Sequence, residues 1–108
     1  MSAIERSGEK IILQEDCAED KLRNGILTLT NRRLIFEKTE GSMVVLSKKT
    51  GDVVLDIRLD KISSVKTEGF LIKKVTIIVD HTFYKFGVFN NGKWAKAIEK
   101  QKNDNISR

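Results

Sequence analysis

Apolar positions recur mostly at every second residue, the spacing that turns alternate side chains to opposite faces of an extended strand. Residues 9–15 open the series with Ile11, Ile12 and Leu13, and the acidic stretch 16–23 reads as the loop that ends it. Leu27 and Leu29 within residues 25–30, then Leu34 and Phe36 within residues 33–37, predict two strands. The Asn31-Arg32 pair between them predicts a tight hairpin, because asparagine tolerates the positive φ such turns use. Met43, Val44, Val45 and Leu46 read as a short strand of an inserted hairpin. The clearest alternation follows, with Val53, Leu55, Ile57 and Leu59 on one face and Val54, Asp56, Arg58 and Asp60 on the other. Ile62 and Val65 mark a short strand that stops at Glu68-Gly69. Val75, Ile77 and Val79 make the next, Asp80-His81 turns it, and Tyr84, Phe86 and Val88 alternate on the way back.

Only the tail changes period. Asn90 or Asn91 is placed to cap a helix, and Trp94, Ala97, Ile98 and Gln101 then share one face at spacings of three and four. The helix is expected to fray from Gln101 onward. The pattern amounts to about seven strands closed by one amphipathic helix, within a single domain over residues 1–108 whose flanks, 1–8 and 103–108, are expected to be flexible.

Composition narrows the class. A chain of 108 residues with 40% hydrophobic content and no proline supports one core and excludes a collagenous or proline-rich chain. The longest uninterrupted apolar run is the four residues from Met43 to Leu46, far below the ~20 that a membrane-crossing helix needs. Cys17 is the single cysteine and has no partner for an intramolecular disulfide. With no signal-like apolar stretch at the start, the expected setting is cytoplasmic. Charge is uneven: residues 1–20 hold two basic and six acidic side chains, net −4, against eighteen and nine, net +9, in residues 21–108.

The order of strands and the tryptophan-bearing helix resemble the pleckstrin-homology superfold, specifically its GRAM and bacterial PH-like families. The resemblance rests on Gly25-Ile26-Leu27-Thr28-Leu29-Thr30-Asn31-Arg32-Arg33-Leu34-Ile35-Phe36, on Ile57, Leu59, Ile62 and Val65 leading into the later strands, and on Trp94 with Ile98. It implies a seven-stranded antiparallel sandwich or partly open barrel capped by one C-terminal α-helix. In such a frame Trp94 and Ile98 are structural: an open end is plugged by the helix, and the indole alone buries on the order of 200 Å².

Catalytic chemistry finds little footing. His81 falls in a hairpin corner, the glycines are scattered singly, and no His, Cys and carboxylate cluster has metal spacing. No catalytic, metal or cofactor site is expected, and the chain is not expected to be an enzyme. Phosphoinositide binding, which the resemblance implies, would draw on a basic first inter-strand loop. Here residues 15–23 carry Glu15, Asp16, Glu19 and Asp20 against Lys21 and Arg23. A carboxylate close to a phosphate costs about 1–4 kcal/mol, so that pocket is disfavoured. A looser contact with anionic membrane is offered by Phe70, Leu71, Lys73 and Lys74, apolar residues at a turn followed by two cations; the competing arrangement packs Leu71 and Ile72 inward. Nucleic acid is disfavoured, because Phe36, Phe83, Phe86 and Phe89 sit in alternating runs that read as internal and Arg32-Arg33 reads as a solvated turn. Open strand edges suit a protein partner or a second copy of the chain, with Met43, Val44, Val45 and Leu46 as the candidate contact; the competing arrangement buries that run under its own hairpin. The resulting expectation is a non-catalytic adaptor that binds protein or assembles with itself, with peripheral attachment to anionic membrane as the alternative.

Overall fold

The computed structural model of the chain describes residues 8–39, 49–69 and 73–106. In them the period-two segments become seven strands: β1 (Ile11–Glu19), β2 (Arg23–Thr30), β3 (Arg33–Thr39), β4 (Lys49–Arg58), β5 (Ser64–Glu68), β6 (Lys74–Val79) and β7 (Thr82–Gly87). The helix α1 (Asn91–Ile106) follows. The strands pair antiparallel in one open sheet, ordered β4-β3-β2-β1-β7-β6-β5.

The join between β1 and β7 is short, Ala18 opposite Gly87 and Glu19 opposite Phe86. The sheet folds over at this corner, so one core receives side chains from both halves. Leu27, Leu29, Leu34 and Phe36 come from β2 and β3; Val75, Ile77 and Phe86 come from β6 and β7. Phe36 and Phe86 meet across the gap with ring centroids 5.5 Å apart and planes tilted by 56°, a favourable aromatic geometry. Trp94 and Ile98, one helical turn apart, drive α1 into the same core. The helix packs against β5, β6 and the 3-10 turn Leu59–Lys61.

Gly25 explains itself by space rather than by dihedral. A Cβ there would sit 2.5 Å from Phe36 Cζ and 2.6 Å from the Glu37 carbonyl oxygen, so only glycine lets β2 approach β3 over that ring.

Several expectations need correction. β1 runs on to Glu19 through residues read as a loop, because Leu13, Glu15, Cys17 and Glu19 keep the strand period on the inward side and their polarity concealed it. The Asn31-Arg32 turn does not use positive φ. Instead the Thr30 hydroxyl accepts from the Arg32 and Arg33 amides, both at 3.0 Å, and Asn31 clasps the start of the chain, its Oδ1 accepting from Lys10 N at 2.9 Å and its Nδ2 donating to Gly8 O at 3.1 Å. Arg33 is buried, not solvated: it grips Glu9 with two nitrogens at 2.9 and 3.0 Å and Asp56 with a third at 2.8 Å. In β4, Leu55 pairs with Phe36 and Val53 with Glu37, leaving Val54 as an extra bulge residue. That slip shifts Val53 off the inward face, and Val53 and Val54 are exposed. Ile62 closes the 3-10 turn, its amide donating to Leu59 O at 3.2 Å, and is not part of a strand. Finally, α1 continues to Ile106, past Gln101; the Asn105 amide donates to Asn31 O and Gln101 O, each at 2.8 Å, and ties the last turn to the β2–β3 corner. The run Met43, Val44, Val45 and Leu46 lies outside the described residues, as do Phe70 and Leu71.

Candidate docking surface at the start of the helix

Strand β7 ends at Gly87, Val88 turns into the core, and Asn90 caps the helix: its Oδ1 accepts from Lys93 N at 3.3 Å and its carbonyl from Trp94 N at 3.0 Å. Between them stands Phe89, 98% exposed. One carboxylate fixes this turn. Glu15, reaching from the inward face of β1, accepts the Phe89 amide at 2.7 Å on one oxygen and the Trp94 indole N–H at 3.0 Å on the other. The aromatic that faces solvent and the aromatic that fills the core therefore hang on the same side chain. Asn91 Nδ2 donates to Lys73 O at 3.3 Å, which brings the end of the β5–β6 connection beside the helix start. Lys73 and Lys93 are exposed there.

Three acidic residues of the first inter-strand region, Glu15, Glu19 and Asp20, prove to be structural partners. Glu19 is 2% exposed; one oxygen accepts the Lys21 and Leu22 amides, both at 2.8 Å, and the other accepts the Lys85 amide at 2.9 Å. This carboxylate shapes the β1–β2 turn and stitches it to β7. Asp20 pairs with Lys74 at 2.6 Å, and the Lys74 ammonium holds its carboxyl below the usual range. Lys74 is thus engaged, whereas among the described residues its neighbour Lys73 forms no ion pair, and of the four residues expected to touch membrane only these two are described. Asp20, Glu68, Gly69, Lys74 and Lys85 line a shallow cavity of about 210 Å³ with mixed charge. Burial, followed by Glu15, Asp16 and Glu19, pushes the Cys17 thiol up to about 12, so it is not a ready nucleophile. His81 and Asp80 occupy a two-residue hairpin tip, φ 67° and 50°, between paired Val79 and Thr82, the conformation of a type I′ turn. Among the described residues, no three of His, Cys, Asp and Glu gather to hold a metal.

Two exposed aromatics escaped the sequence reading. Phe83 is 46% and Phe89 98% exposed, although both were read as internal. The signal was present: Tyr84, Phe86 and Val88 occupy the inward phase, which leaves positions 83 and 89 out of phase.

Known protein-family models and curated proteins give no match to the sequence. Among solved structures, the chain is similar to the Vps36 N-terminal PH domain, with a TM-score of 0.74 and 19% identity over 95% of this chain and 86% of that one. At that identity the likeness concerns architecture, and with the strand order and terminal helix it gives the chain a pleckstrin-homology-like fold.

Proposed function

We propose that this chain is a non-catalytic, cytoplasmic adaptor of the GRAM or bacterial PH-like kind that docks on a protein partner through Phe89 and the helix start. The observation that carries the reading is the 98% exposure of a phenylalanine whose backbone is pinned at 2.7 Å by Glu15. A rigid aromatic loses little conformational freedom on binding, and a single anchor buried in a partner's pocket contributes about 2–4 kcal/mol when it acts as a hot spot. Asn91, Lys73 and Lys93 supply a polar rim of the kind protein interfaces use. Self-association has separate support in β4, the edge strand among the described residues, which exposes Val53 and Val54 and so offers a partly apolar edge.

The second reading is attachment to anionic membrane, favoured by the same exposed phenylalanine at the helix start, where Lys93 and, through the Asn91 contact, Lys73 are also exposed. One aromatic with two lysines gives only weak, reversible adsorption, since firm anchoring takes more than one such signal. The two are separated by placing a photo-crosslinking phenylalanine analogue at position 89 and, in parallel, sedimenting the protein with phosphatidylserine vesicles. Protein adducts specific to position 89, absent when the probe is at exposed Glu99, support docking on protein. Vesicle pelleting that Phe89→Ser abolishes, without such adducts, overturns it in favour of membrane. Light scattering over a concentration series reads out self-association, with Val54→Lys expected to lower any mass above the monomer.

A further inference from the structure

The outward face of β5, β6 and β7 is a second surface, remote in composition from the helix start. Register arranges it in rows: Ser64, Ile78 and Phe83 lie side by side, and next to them Lys66, Thr76 and Lys85. Phe83 is 46% exposed, and both lysines are exposed. Among the described residues, neither lysine makes an ion pair. Between them the Thr76 hydroxyl is buried with no hydrogen-bond partner, an unsatisfied group of a kind that folded proteins seldom keep without a use.

The spacing suits one ligand chemistry. Lys66 and Lys85 stand two strands apart, roughly 10 Å, and the aromatic row lies two residues away, roughly 7 Å. Two long cationic side chains at that separation close on a single anion above Thr76, while a flat ring rests on Phe83 one row over. We propose that this face binds a nucleotide unit of a single-stranded nucleic acid, its base stacked on Phe83 and its phosphate held between Lys66 and Lys85. The lysine stems swing outward as the phosphate enters, and the Thr76 hydroxyl then donates to a phosphate oxygen. Base-on-aromatic stacking beside cations is the general mode of single-strand recognition. Two acids border the lysine row on the side away from the ring: Asp20, which pairs with Lys74 at 2.6 Å and whose field also reaches Lys85, and Glu68, on the far side of that row from Phe83; both direct the phosphate toward the ring side.

The test is fluorescence anisotropy of a labelled oligouridylate with the full chain over a salt series. Binding is expected to weaken with salt, with a log–log slope of about 0.7 for each phosphate contacted. Phe83→Ala should weaken it about tenfold, and Lys66→Glu with Lys85→Glu should abolish it, while Lys96→Glu on the helix leaves it unchanged and thermal melts confirm that each variant is folded. Competition by uridine monophosphate at concentrations matching the oligonucleotide identifies a free nucleotide as the source of the same chemistry; competition only at large excess identifies the strand. Absence of binding at low salt, or binding that the Phe83 and lysine substitutions leave intact, or that Lys96→Glu reduces equally, overturns the site.

Discussion

Replacing Trp94 with alanine tests how the helix is held. The indole is 2% exposed and donates to Glu15 at 3.0 Å. A buried tryptophan removes about 150–250 Å² from water, worth roughly 4–6 kcal/mol at ~25 cal/mol per Å², less after allowing for a compact unfolded chain. The lost hydrogen bond to a charged group adds part of ~1.5–3 kcal/mol, and partial collapse of the cavity recovers some of the total, so about 4 kcal/mol is expected, within the ~3–5 typical of such truncations. Unfolding entropy of about 2.1 cal/mol/K per residue makes that a fall in Tm of about 18 °C for a chain of 108 residues. Trp94→Phe keeps most of the apolar contact and drops the indole donor, so its loss is about half as large. Differential scanning calorimetry reads both, and a cycle with Glu15→Gln isolates the side-chain pair, whose coupling is expected between about 0.5 and 3 kcal/mol. A Trp94→Ala protein melting within about 5 °C of wild type would refute the account.

Gly25→Ala forces a methyl into the Phe36 ring and the Glu37 carbonyl; it should cost about 1–3 kcal/mol, seen as a lowered urea midpoint. Arg23 and His81 hold φ of 70° and 67°, a conformation costing an L-residue ~1–2 kcal/mol, so Arg23→Gly or His81→Gly should each raise Tm by a few degrees once the ~0.5–1 kcal/mol entropic cost of glycine is subtracted. Glu9 is held below its ordinary 4.5 chiefly by its hydrogen bond from Arg33. A depressed carboxyl stabilises the fold above its unfolded pKa and loses that contribution as pH falls through the folded one. Glu9→Gln should therefore lower stability at neutral pH and flatten the acid limb below 4.5, and urea titrations at stepped pH check both. Cys17, its thiol pushed up to about 12, should alkylate with iodoacetamide far more slowly in the native protein than in urea; equal rates would contradict its burial.

Strand identity was legible where one face is apolar. Leu27, Leu29, Leu34, Phe36, Val75, Ile77 and Phe86 all lie where the alternation puts them, because a two-residue period leaves no other way to bury them. What escaped depended on groups that carry no hydrophobic signal. Glu15 and Glu19 hold the inward phase of β1 but bind backbone amides there, so a hydrophobicity pattern reads them as loop. The β4 bulge at Val54 shifts the phase by one residue, and nothing in a run of valines marks where the shift falls. Arg33 beside Arg32 looked like a solvated pair, since its partners Glu9 and Asp56 lie 24 and 23 residues away. The candidate surface was half legible: Lys73 was singled out, while Phe89 was assigned to the interior by its company rather than by its parity.

Charge counting is coarse for a related reason. On the sequence, the acids of residues 15–20 weigh as a Coulomb cost beside a phosphate site. Glu15 and Glu19, however, spend their charge on four amides and an indole N–H, and Asp20 spends its charge on Lys74. A carboxylate engaged in this way acts as a fixed acceptor that shapes the turn it faces. Its field is offset by the donors it holds, so it weighs less against an anion nearby than an exposed carboxylate would. The same reasoning separates Lys74, which Asp20 pairs directly, from Lys66 and Lys85, which make no ion pair among the described residues although the Asp20 field reaches Lys85. Net charge along the sequence therefore says little about what this fold attracts. The pairing of each charge decides it, and among the described residues it leaves an exposed ring near lysines that form no ion pair at Phe89 and at Phe83.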